Sequence, residues 1–462
     1  MALILTIGEL QQACGKTAQF DGDNTKLTQR PAGLSTDSRQ CKSAELFVAL
    51  RGEKFDAHQF VAQVLAAGVL AAVVEKSWFA SQKETLKGNL IVVEDTLLAL
   101  QNIGHAIRRR WGKTVIAITG SNGKTTTKEL VAAVLAQNKM VHKTTGNLNN
   151  HIGVPLTLAA LSHSHDVAVV EMGMNHYGEI ARLCEIAAPN YGLITNVGRA
   201  HIEFFKTIDG VAKAKGELFE YLHAHEGIAF LNADEAKLAT VLPSGTKAIT
   251  FGLQQPAQVQ GKIAGVDENG GATLAWKNQN IHLAIPGTHN ASNALAAIAI
   301  GEHLGVAPEK IRAALESTPS IAKRMQVLKR GELTIINDAY NANPESMWAA
   351  LQFLAAMPLR DNGRRIAVLG DMLELGEAAP SAHAEIGEMV KTLPIHAIFA
   401  YGPQMQHLTQ AVGEAKWAEH FEDKARLCEE VRRSVRAADV ILLKGSRGMA
   451  MEEVIEKLPN VI

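Results

Sequence analysis

Residues 116–127, Ile-Ala-Ile-Thr-Gly-Ser-Asn-Gly-Lys-Thr-Thr-Thr, limit the fold of this chain more than any other segment. A short apolar run, Val115–Ile118, predicts a buried strand. It breaks at Gly120, turns through Gly123-Lys124-Thr125 and enters a helical pattern near Thr126. Strand, glycine loop and helix in that order build a cradle for phosphate. Glycines let backbone N–H groups close on an anion, and the helix N-terminus adds partial positive charge. Lys124 is placed to reach the outer phosphates of a nucleotide triphosphate and the Thr125 hydroxyl to hold Mg²⁺. The spacing departs from the full G-x-x-x-x-G-K-[ST] pattern, because Gly120 stands three residues before Gly123 instead of five. A Gly-Lys-Thr triplet alone is often only a helix start; the flanking strand and helix make it a nucleotide site.

A strand of that kind belongs to a parallel sheet, and the chain supplies partners. Val167–Val170, Gly192–Asn196 and Gly227–Leu231 are continuous apolar runs separated by helical segments, as in a sheet covered on both faces. Between 245 and 286 the pattern alternates, in Val259–Val266, Ala272–Lys277 and Asn280–Ile285, with Asn269-Gly270-Gly271 as a turn. That predicts a small antiparallel sheet appended to the parallel one. A helix over Asn290–Leu304 follows. Before this region, Ala44–Leu50, Leu70–Val74 and Leu90–Val93 are expected strands, with a helix over Phe60–Ala67. Asp95 then caps a helix ending in Arg108-Arg109-Arg110, cations suited to a helix C-terminus. After Ser317-Thr-Pro-Ser320, the runs Leu333–Ile336, Ile366–Leu369, Ala397–Ala400 and Val440–Leu443 predict a second doubly wound sheet. The expected fold class is therefore α/β in three domains: residues 1–100, a central phosphate-loop domain over 101–316, and a Rossmann-like domain over 317–462. A length of 462 residues accommodates three cores.

A formal net charge of −1 gives no field that would gather nucleic acid. The four cysteines are scattered and form no C-x-x-C pair, so reduced thiols are expected in place of a disulfide framework or zinc site. The opening Met1-Ala-Leu-Ile-Leu lacks a basic leader and Glu9 follows early; no signal peptide is expected. The longest apolar run, Val64–Val74, is too short for stable membrane insertion. A cytoplasmic protein is the expectation.

Ligands of open parallel sheets sit beyond the carboxyl ends of the strands. Glu171 follows Val167–Val170, and His201 follows Gly192–Asn196, so both are expected on the edge that carries the phosphate loop, where a hard cation needs ligands. By itself a glutamate there is ordinarily solvated and a histidine ordinarily structural; the shared edge raises both. Lys215 lies in a helix whose Lys213, Glu217 and Glu220 look solvent-facing, and the residues alone make it a surface charge. Asn290 and Asn293, three apart, share a helix face. Their amides suit an adenine edge, but helix capping is the simpler role. Asn337-Asp338-Ala-Tyr340-Asn341-Ala-Asn343-Pro344 ends a strand in turn chemistry, with Asp338 available to a ribose hydroxyl.

Together these segments resemble the Mur ligases, the ATP-dependent amide-forming enzymes of peptidoglycan precursor synthesis, over essentially the whole chain. Gly120 to Thr126, Glu171, His201, the Ala214-Lys215 helix and His289-Asn290-x-x-Asn293 match motifs shared across that family. Ser35-Thr-Asp-Ser38-Arg39 and Leu46-Phe-Val-Ala-Leu50-Arg-Gly52 are similar to its uridine-nucleotide domain. Thr145-Gly-Asn-Leu-Asn-Asn150-His-Ile-Gly-Val-Pro155, Asp338-Ala-Tyr-Asn-Ala-Asn-Pro344, Leu369-Gly-Asp-Met-Leu-Glu-Leu-Gly376 and Lys444-Gly-Ser-Arg447 are more particular. They resemble the branch that joins D-alanyl-D-alanine to UDP-N-acetylmuramoyl-tripeptide. Folylpolyglutamate synthase shares the ATP core but has no counterpart of the Thr36-Asp-Ser-Arg39 domain. The ligase adding the third residue carries Asp-Asn-Pro, whereas Asp361-Asn362 here is followed by Gly363. A nucleotide-dependent switch would leave the third domain's polar loops without a role.

The resemblance implies ATP and Mg²⁺, with Gly120, Ser121, Asn122, Gly123, Lys124, Thr125, Thr126, Asn290, Asn293, Arg324 and Asp338 at the nucleotide. It implies Thr125, Glu171, His201 and a carbamylated Lys215 at metal, and Lys124, Lys215 and His201 in catalysis. Ser38, Arg39, Asn147, Asn150, Tyr340 and Asn341 would meet the UDP-N-acetylmuramoyl-tripeptide or D-alanyl-D-alanine. A monomer that binds neither nucleic acid nor membrane is expected.

Overall fold

The apolar runs assemble into three sheets in the computed structural model, which describes residues 2–82 and 86–458. The outer ends of the first and third expected domains, Met1 and 459–462, lie outside the described residues. The first sheet has the spatial order Gln19–Asp21, Leu90–Val93, Ala71–Glu75, Leu46–Val48, Leu34–Ser35. Its first pair is antiparallel and the remainder parallel. The strand expected over Ala44–Leu50 shrinks to Leu46–Val48, and the helix expected over Phe60–Ala67 splits into a 3₁₀ turn at Ala57–Phe60 and an α-helix at Val61–Ala66. Asp56 accounts for the split, since its carboxylate accepts from His58 N and starts the tighter turn three residues earlier.

Helix Thr96–Trp111 begins where Asp95 accepts from Leu98 N at 2.9 Å and stops at the left-handed Gly112. Its three arginines occupy the last turn, as the charge pattern indicated. Ile103, Ile107 and Trp111 join a core that includes Val48 and Val73 of the first sheet and Val115 and Ala117 of the second. The helix is thus a shared wall. Against it lies helix Gly153–Ala159, close enough that a Cβ added at Gly104 would stand 2.8 Å from Pro155 Cα.

The second sheet has nine strands, ordered Gln279–Pro286, Gly271–Trp276, Val259–Val266, Lys247–Gly252, Ile228–Asn232, Tyr191–Ile194, Thr114–Thr119, Val167–Glu171, Val141–Lys143. The six from Lys247–Gly252 onward are parallel. The first three are antiparallel, and they continue the same sheet through a short parallel pairing of Phe251 with Val259 and Gly252 with Gln260. Thr114–Thr119 lies between Val167–Glu171 and Tyr191–Ile194, pairing Ile118 with Glu171 and Thr119 with Ile194. Strand order reverses there, and all three strands end on one edge, where such sheets hold ligands.

The third sheet runs Gln326–Arg330, Leu333–Asp338, Val440–Lys444, Arg365–Gly370, Ala397–Tyr401, Trp417–Phe421, antiparallel only at its first pair. Apolar clusters fill both faces. The two edge strands carry no continuous apolar run, and their half-buried sequences, Gln-Val-Leu-Lys-Arg and Trp-Ala-Glu-His-Phe, gave no strand signal.

Alanine in place of a helical glycine ordinarily gains about 1 kcal/mol. At Gly104 the contact with the Pro155 backbone reverses the sign. Gly104→Ala is expected to cost about 1–3 kcal/mol in urea unfolding, as overpacking does.

Candidate active site

The phosphate loop is held by the strand beside it. Ser121 N donates to Asn196 O at 3.0 Å, Asn122 N to Asn196 Oδ1 at 2.9 Å, and Thr195 Oγ1 to Asn122 O at 2.6 Å. Two glycines are obligatory. Gly120 has φ +147°, and a Cβ there would lie 1.8 Å from Thr195 Oγ1; Gly123 has φ +79°, with Asn293 Oδ1 at 2.6 Å from its added Cβ. Helix Lys124–Leu135 has no side-chain cap, so its first N–H groups remain for an anion. Lys124 Nζ folds back to donate to Gly120 O at 2.6 Å. Burial lowers its pKa, the carboxylate of Glu171 opposes that shift and the charge of Arg324 adds to it.

Glu171 is only 2% exposed and fully engaged. Its Oε2 accepts from Thr125 Oγ1 at 2.9 Å and its Oε1 from Asn149 Nδ2 at 2.8 Å. The ammonium of Lys128, 1% exposed, stands 3.7 Å from Oε2 while donating to Thr144 O at 2.7 Å. The solvated role ordinary for a strand-end glutamate does not apply. Lys128 and Asn149 were missed in the sequence, although Lys128 lies one helical turn beyond Lys124 and Asn149 sits between two asparagines that were singled out. Asn150 accepts from Ile152 N and Gly153 N, shaping its own turn, and both it and Asn147 line the cavity.

Lys215 corrects the surface assignment. It is 2% exposed, on helix Ile208–Ala224. Val211, Ala212, Ala214, Leu218, Phe219 and Leu222 are the buried stripe, and 215 falls within it at i+4 from 211 and i+3 from 212. Glu217 is not simply solvated either: it accepts from Gly178 N at 2.7 Å and Ala181 N at 3.0 Å. Among the described residues Lys215 has no carboxylate or hydrogen-bond partner. Burial, then the charge of Lys124, pushes its pKa well below the ordinary lysine value.

Asn290 and Asn293 do not cap their helix. Thr288 precedes the first turn without a side-chain bond. Asn290 Nδ2 donates to Pro286 O at 2.6 Å, Asn293 Nδ2 to Asn290 Oδ1 at 2.8 Å, and Thr127 Oγ1 to Asn293 Oδ1 at 3.1 Å. The pair braces Gly123 from below. His201, in a left-handed conformation at φ 59°, turns away from Glu171's hydrogen-bond net; its Nδ1 lies 2.6 Å from Glu374 Oε2 of the third sheet's loops. That contact lacks hydrogen-bond alignment, and the imidazole lowers the Glu374 pKa.

The third sheet closes the site. Arg324 donates to Thr125 Oγ1 at 2.8 Å and stacks on Tyr340 at 4.0 Å. Lys444 Nζ donates to Asp338 Oδ2 at 2.5 Å and to Asn341 O at 3.0 Å, while Met325 N donates to Asp338 Oδ1. Asn122 of the phosphate loop and Asn343 exchange amide hydrogen bonds of 3.3 and 2.9 Å. Arg199 pairs with Glu345 at 2.9 Å and Glu385 at 2.5 Å. Between these elements lies a cavity of about 1170 Å³. Ser121 to Lys124, Thr126, Glu171, His201, Asn290, Asn293, Arg324, Asp338, Tyr340 and Asn341 line it, whereas Gly120 and Thr125 lie just behind. Ser38 and Arg39 are elsewhere, in the turn after strand Leu34–Ser35 of the first sheet. Arg39 is exposed and forks onto Asp37 at 2.9 and 2.8 Å, holding that carboxyl at about 2.

The oxygen donors Thr125 and Glu171 suit a hard dication. Among the described residues no three His, Cys, Asp or Glu side chains cluster as a metal site, and a lysine ammonium at 215 is no ligand. Lys128→Met is expected to cost about 3 kcal/mol in unfolding free energy by leaving Glu171 without its nearest cation. In the double variant with Glu171→Gln, coupling of about 1 kcal/mol or more is expected; strict additivity would show that the two groups do not interact.

The chain matches the models of the Mur ligase middle domain over residues 118–301 and of the Mur ligase glutamate ligase domain over 323–447. It is 38% identical to UDP-N-acetylmuramoyl-tripeptide–D-alanyl-D-alanine ligase of Bacillus subtilis, over 92% of this chain and 93% of that protein. The crystal structure of MurF from Acinetobacter baumannii superimposes with a TM-score of 0.85 at 32% identity, covering 98% of each chain. MurF of Thermotoga maritima in complex with ADP gives 0.80 at 26% identity, covering 92% of this chain and 96% of that one. Sequence and fold thus correspond along nearly the full length, and the chain belongs to the Mur ligase family, in its UDP-N-acetylmuramoyl-tripeptide–D-alanyl-D-alanine ligase branch.

Proposed function

We infer that this chain is an ATP-dependent ligase that joins D-alanyl-D-alanine to UDP-N-acetylmuramoyl-tripeptide, a step of peptidoglycan precursor synthesis that releases ADP and phosphate. The observation that carries this is the convergence of Lys124 and Glu171 of the central domain with Arg324 of the third on one cavity, where Thr125 bonds both Glu171 and Arg324 from behind the lining. A carboxylate does not accept an amine at neutral pH, because its leaving group would be oxide. Transfer of the γ-phosphoryl group from ATP to the tripeptide carboxylate breaks a phosphoanhydride and forms an acyl phosphate. The dipeptide amine then attacks the carbonyl carbon, loses a proton, and phosphate leaves as the amide forms.

Three domains divide this work in our reading. Residues 1–100 hold the uridine nucleotide, with Ser38 and Arg39 in contact. Residues 101–316 hold ATP on Gly120 to Thr126, with Asn290 and Asn293 toward the adenine. Residues 317–462 close with Arg324 and Asp338 on the nucleotide and Tyr340 and Asn341 toward the other substrates; Asn147 and Asn150 face the tripeptide. Lys124 neutralises the transferring phosphoryl group. Thr125 and Glu171 would hold Mg²⁺, with His201 as a further ligand once it leaves Glu374. When bound there, Mg²⁺ offsets repulsion between triphosphate and carboxylate. The site is complete within one chain, which supports action as a monomer. No helix among the described residues is long and apolar enough to cross a membrane, and a substrate set of free nucleotides supports a cytoplasmic location.

Lys215 adds a carbamate oxygen ligand in this scheme. A depressed pKa leaves its amine neutral at lower pH than a free lysine, and only the neutral amine adds to CO₂. Mass spectrometry of the intact active enzyme, kept in bicarbonate, should find one CO₂ on Lys215. Lys215→Ala should be inactive and partly recover with short carboxylates; an unmodified, dispensable Lys215 would remove it from the scheme.

Lys124→Ala should keep the fold, because Thr195, Asn196 and Ser121 hold the loop without it. Phosphate release in the presence of all three substrates is expected to fall on the order of 10²-fold or more. Near-normal turnover would contradict the assignment.

A further inference from the structure

The oxygen donors at the start of the phosphate helix, Thr125 and Glu171, stand among cations. Lys124 feels the charges of both Glu171 and Arg324, and Arg324 donates to Thr125 itself. Among the described residues only Lys128 brings a charged nitrogen within 4 Å of the Glu171 carboxylate, with Nζ 3.7 Å from Oε2.

Lys128 is fixed in that place. It is 1% exposed, on the buried side of helix Lys124–Leu135, and donates to Thr144 O at 2.7 Å. The hydroxyl of the same Thr144 accepts from Glu171 N at 2.9 Å. One residue thus anchors both the lysine head and the backbone of the glutamate. Glu129 lies 3.3 Å from the ammonium, but it is shared with Lys143 and partly open to water, so it offsets only part of the charge.

This arrangement bears on a dication. Glu171 Oε1 is taken by Asn149 Nδ2, whereas Thr125 Oγ1 is bonded to Oε2. A metal held by Thr125 and Glu171 together therefore meets Oε2, the oxygen beside Lys128. Mg²⁺ stands about 2.1 Å from its ligand oxygens, which puts it no more than about 6 Å from the Lys128 ammonium. Charges of +2 and +1 at that distance weaken binding about tenfold even at the dielectric of water, and more in a protein interior. The upper bound on distance is a lower bound on repulsion. Among the described residues no three His, Cys, Asp or Glu side chains gather to outweigh it. A triphosphate supplies both the missing negative charge and further oxygens.

We propose that Lys128 is a positioning residue that keeps a free dication off Glu171, so that the site takes its metal together with a nucleotide triphosphate. This rests on the ATP and Mg²⁺ reading given above. Between turnovers the lysine holds the carboxylate in place, and the phosphates offset its repulsion when substrate arrives.

The test titrates Mn²⁺, read by electron paramagnetic resonance, into the full-length enzyme with and without a non-hydrolysable ATP analogue. The wild type should bind free Mn²⁺ weakly and bind it tightly once the analogue is present. Lys128→Met should bind free Mn²⁺ about tenfold or more tightly than the wild type. Lys128→Gln, which keeps an N–H for Thr144 O, should do the same and carries the test if the methionine variant does not fold. Adding Glu171→Gln to it should remove the gain, since the metal then lacks its carboxylate. Lys128→Arg keeps the charge and should stay near the wild type. A merely structural role would loosen metal binding in the neutral variants, because a displaced Glu171 is a poorer ligand. Free Mn²⁺ affinity that is unchanged or weaker in the folded neutral variants would overturn the proposal. So would equal tightening in Lys128→Arg, which separates the effect from charge. A folded wild type that binds no Mn²⁺ even with the analogue would overturn the metal reading itself, and the role of Lys128 with it.

Discussion

A single buried carboxylate organises the catalytic edge. Glu171 ends its strand inside the protein and receives a hydroxyl from the phosphate helix, an amide from the loop at Asn149, and the field of Lys128. A charge kept out of water is costly unless every lone pair is answered. The groups that answer it come from two segments, helix Lys124–Leu135 and the loop at Asn149, so each is held in register with the other. Thr125 is the hinge of this arrangement: it gives its proton to Glu171 and takes one from Arg324, linking two sheets through one hydroxyl. The phosphate loop is therefore braced on both sides, by Thr195 and Asn196 beneath and by the third domain above.

The same economy appears at Lys215, with opposite sign. Among the described residues its ammonium has no answering carboxylate, and a lysine so placed is pressed toward neutrality by burial and by Lys124. In the scheme proposed above, carbamylation would turn this unfavourable group into an anion. Buried polar groups without ordinary structural explanation gather at functional sites for this reason.

Much of this was legible before any coordinates. Continuous apolar runs marked the parallel strands, and the Gly120–Thr125 loop fixed which strand edge mattered. Asp95 and the three arginines bounded their helix where charge complementarity required. What escaped were features set by tertiary partners. The edge strands Gln326–Arg330 and Trp417–Phe421 have little apolar pattern, because one side of each meets water. By polarity Lys215 reads as a surface charge, although its place at i+4 from Val211 puts it in the buried stripe. Capping is the simpler local role for the asparagines of helix His289–His303, whereas the bonds that they make, with Asn293 accepting from Thr127 across 166 residues beside Gly123, are not local. Lys128 escapes for a similar reason: besides its neighbour Glu129 at 3.3 Å, its ammonium faces Glu171, which comes from a strand distant in sequence.

Two of the junctions between the phosphate loop region and the third domain differ in kind. At the rim, Arg199 grips Glu345 and Glu385, three formal charges in partial contact with solvent. On the glycine loop itself, Asn122 and Asn343 meet through neutral amides. Mobile ions screen the first and leave the second almost untouched. The electrolyte around the molecule therefore acts on how firmly the outer edge is fastened, while the contact that touches the nucleotide loop keeps its strength from dilute buffer to concentrated brine.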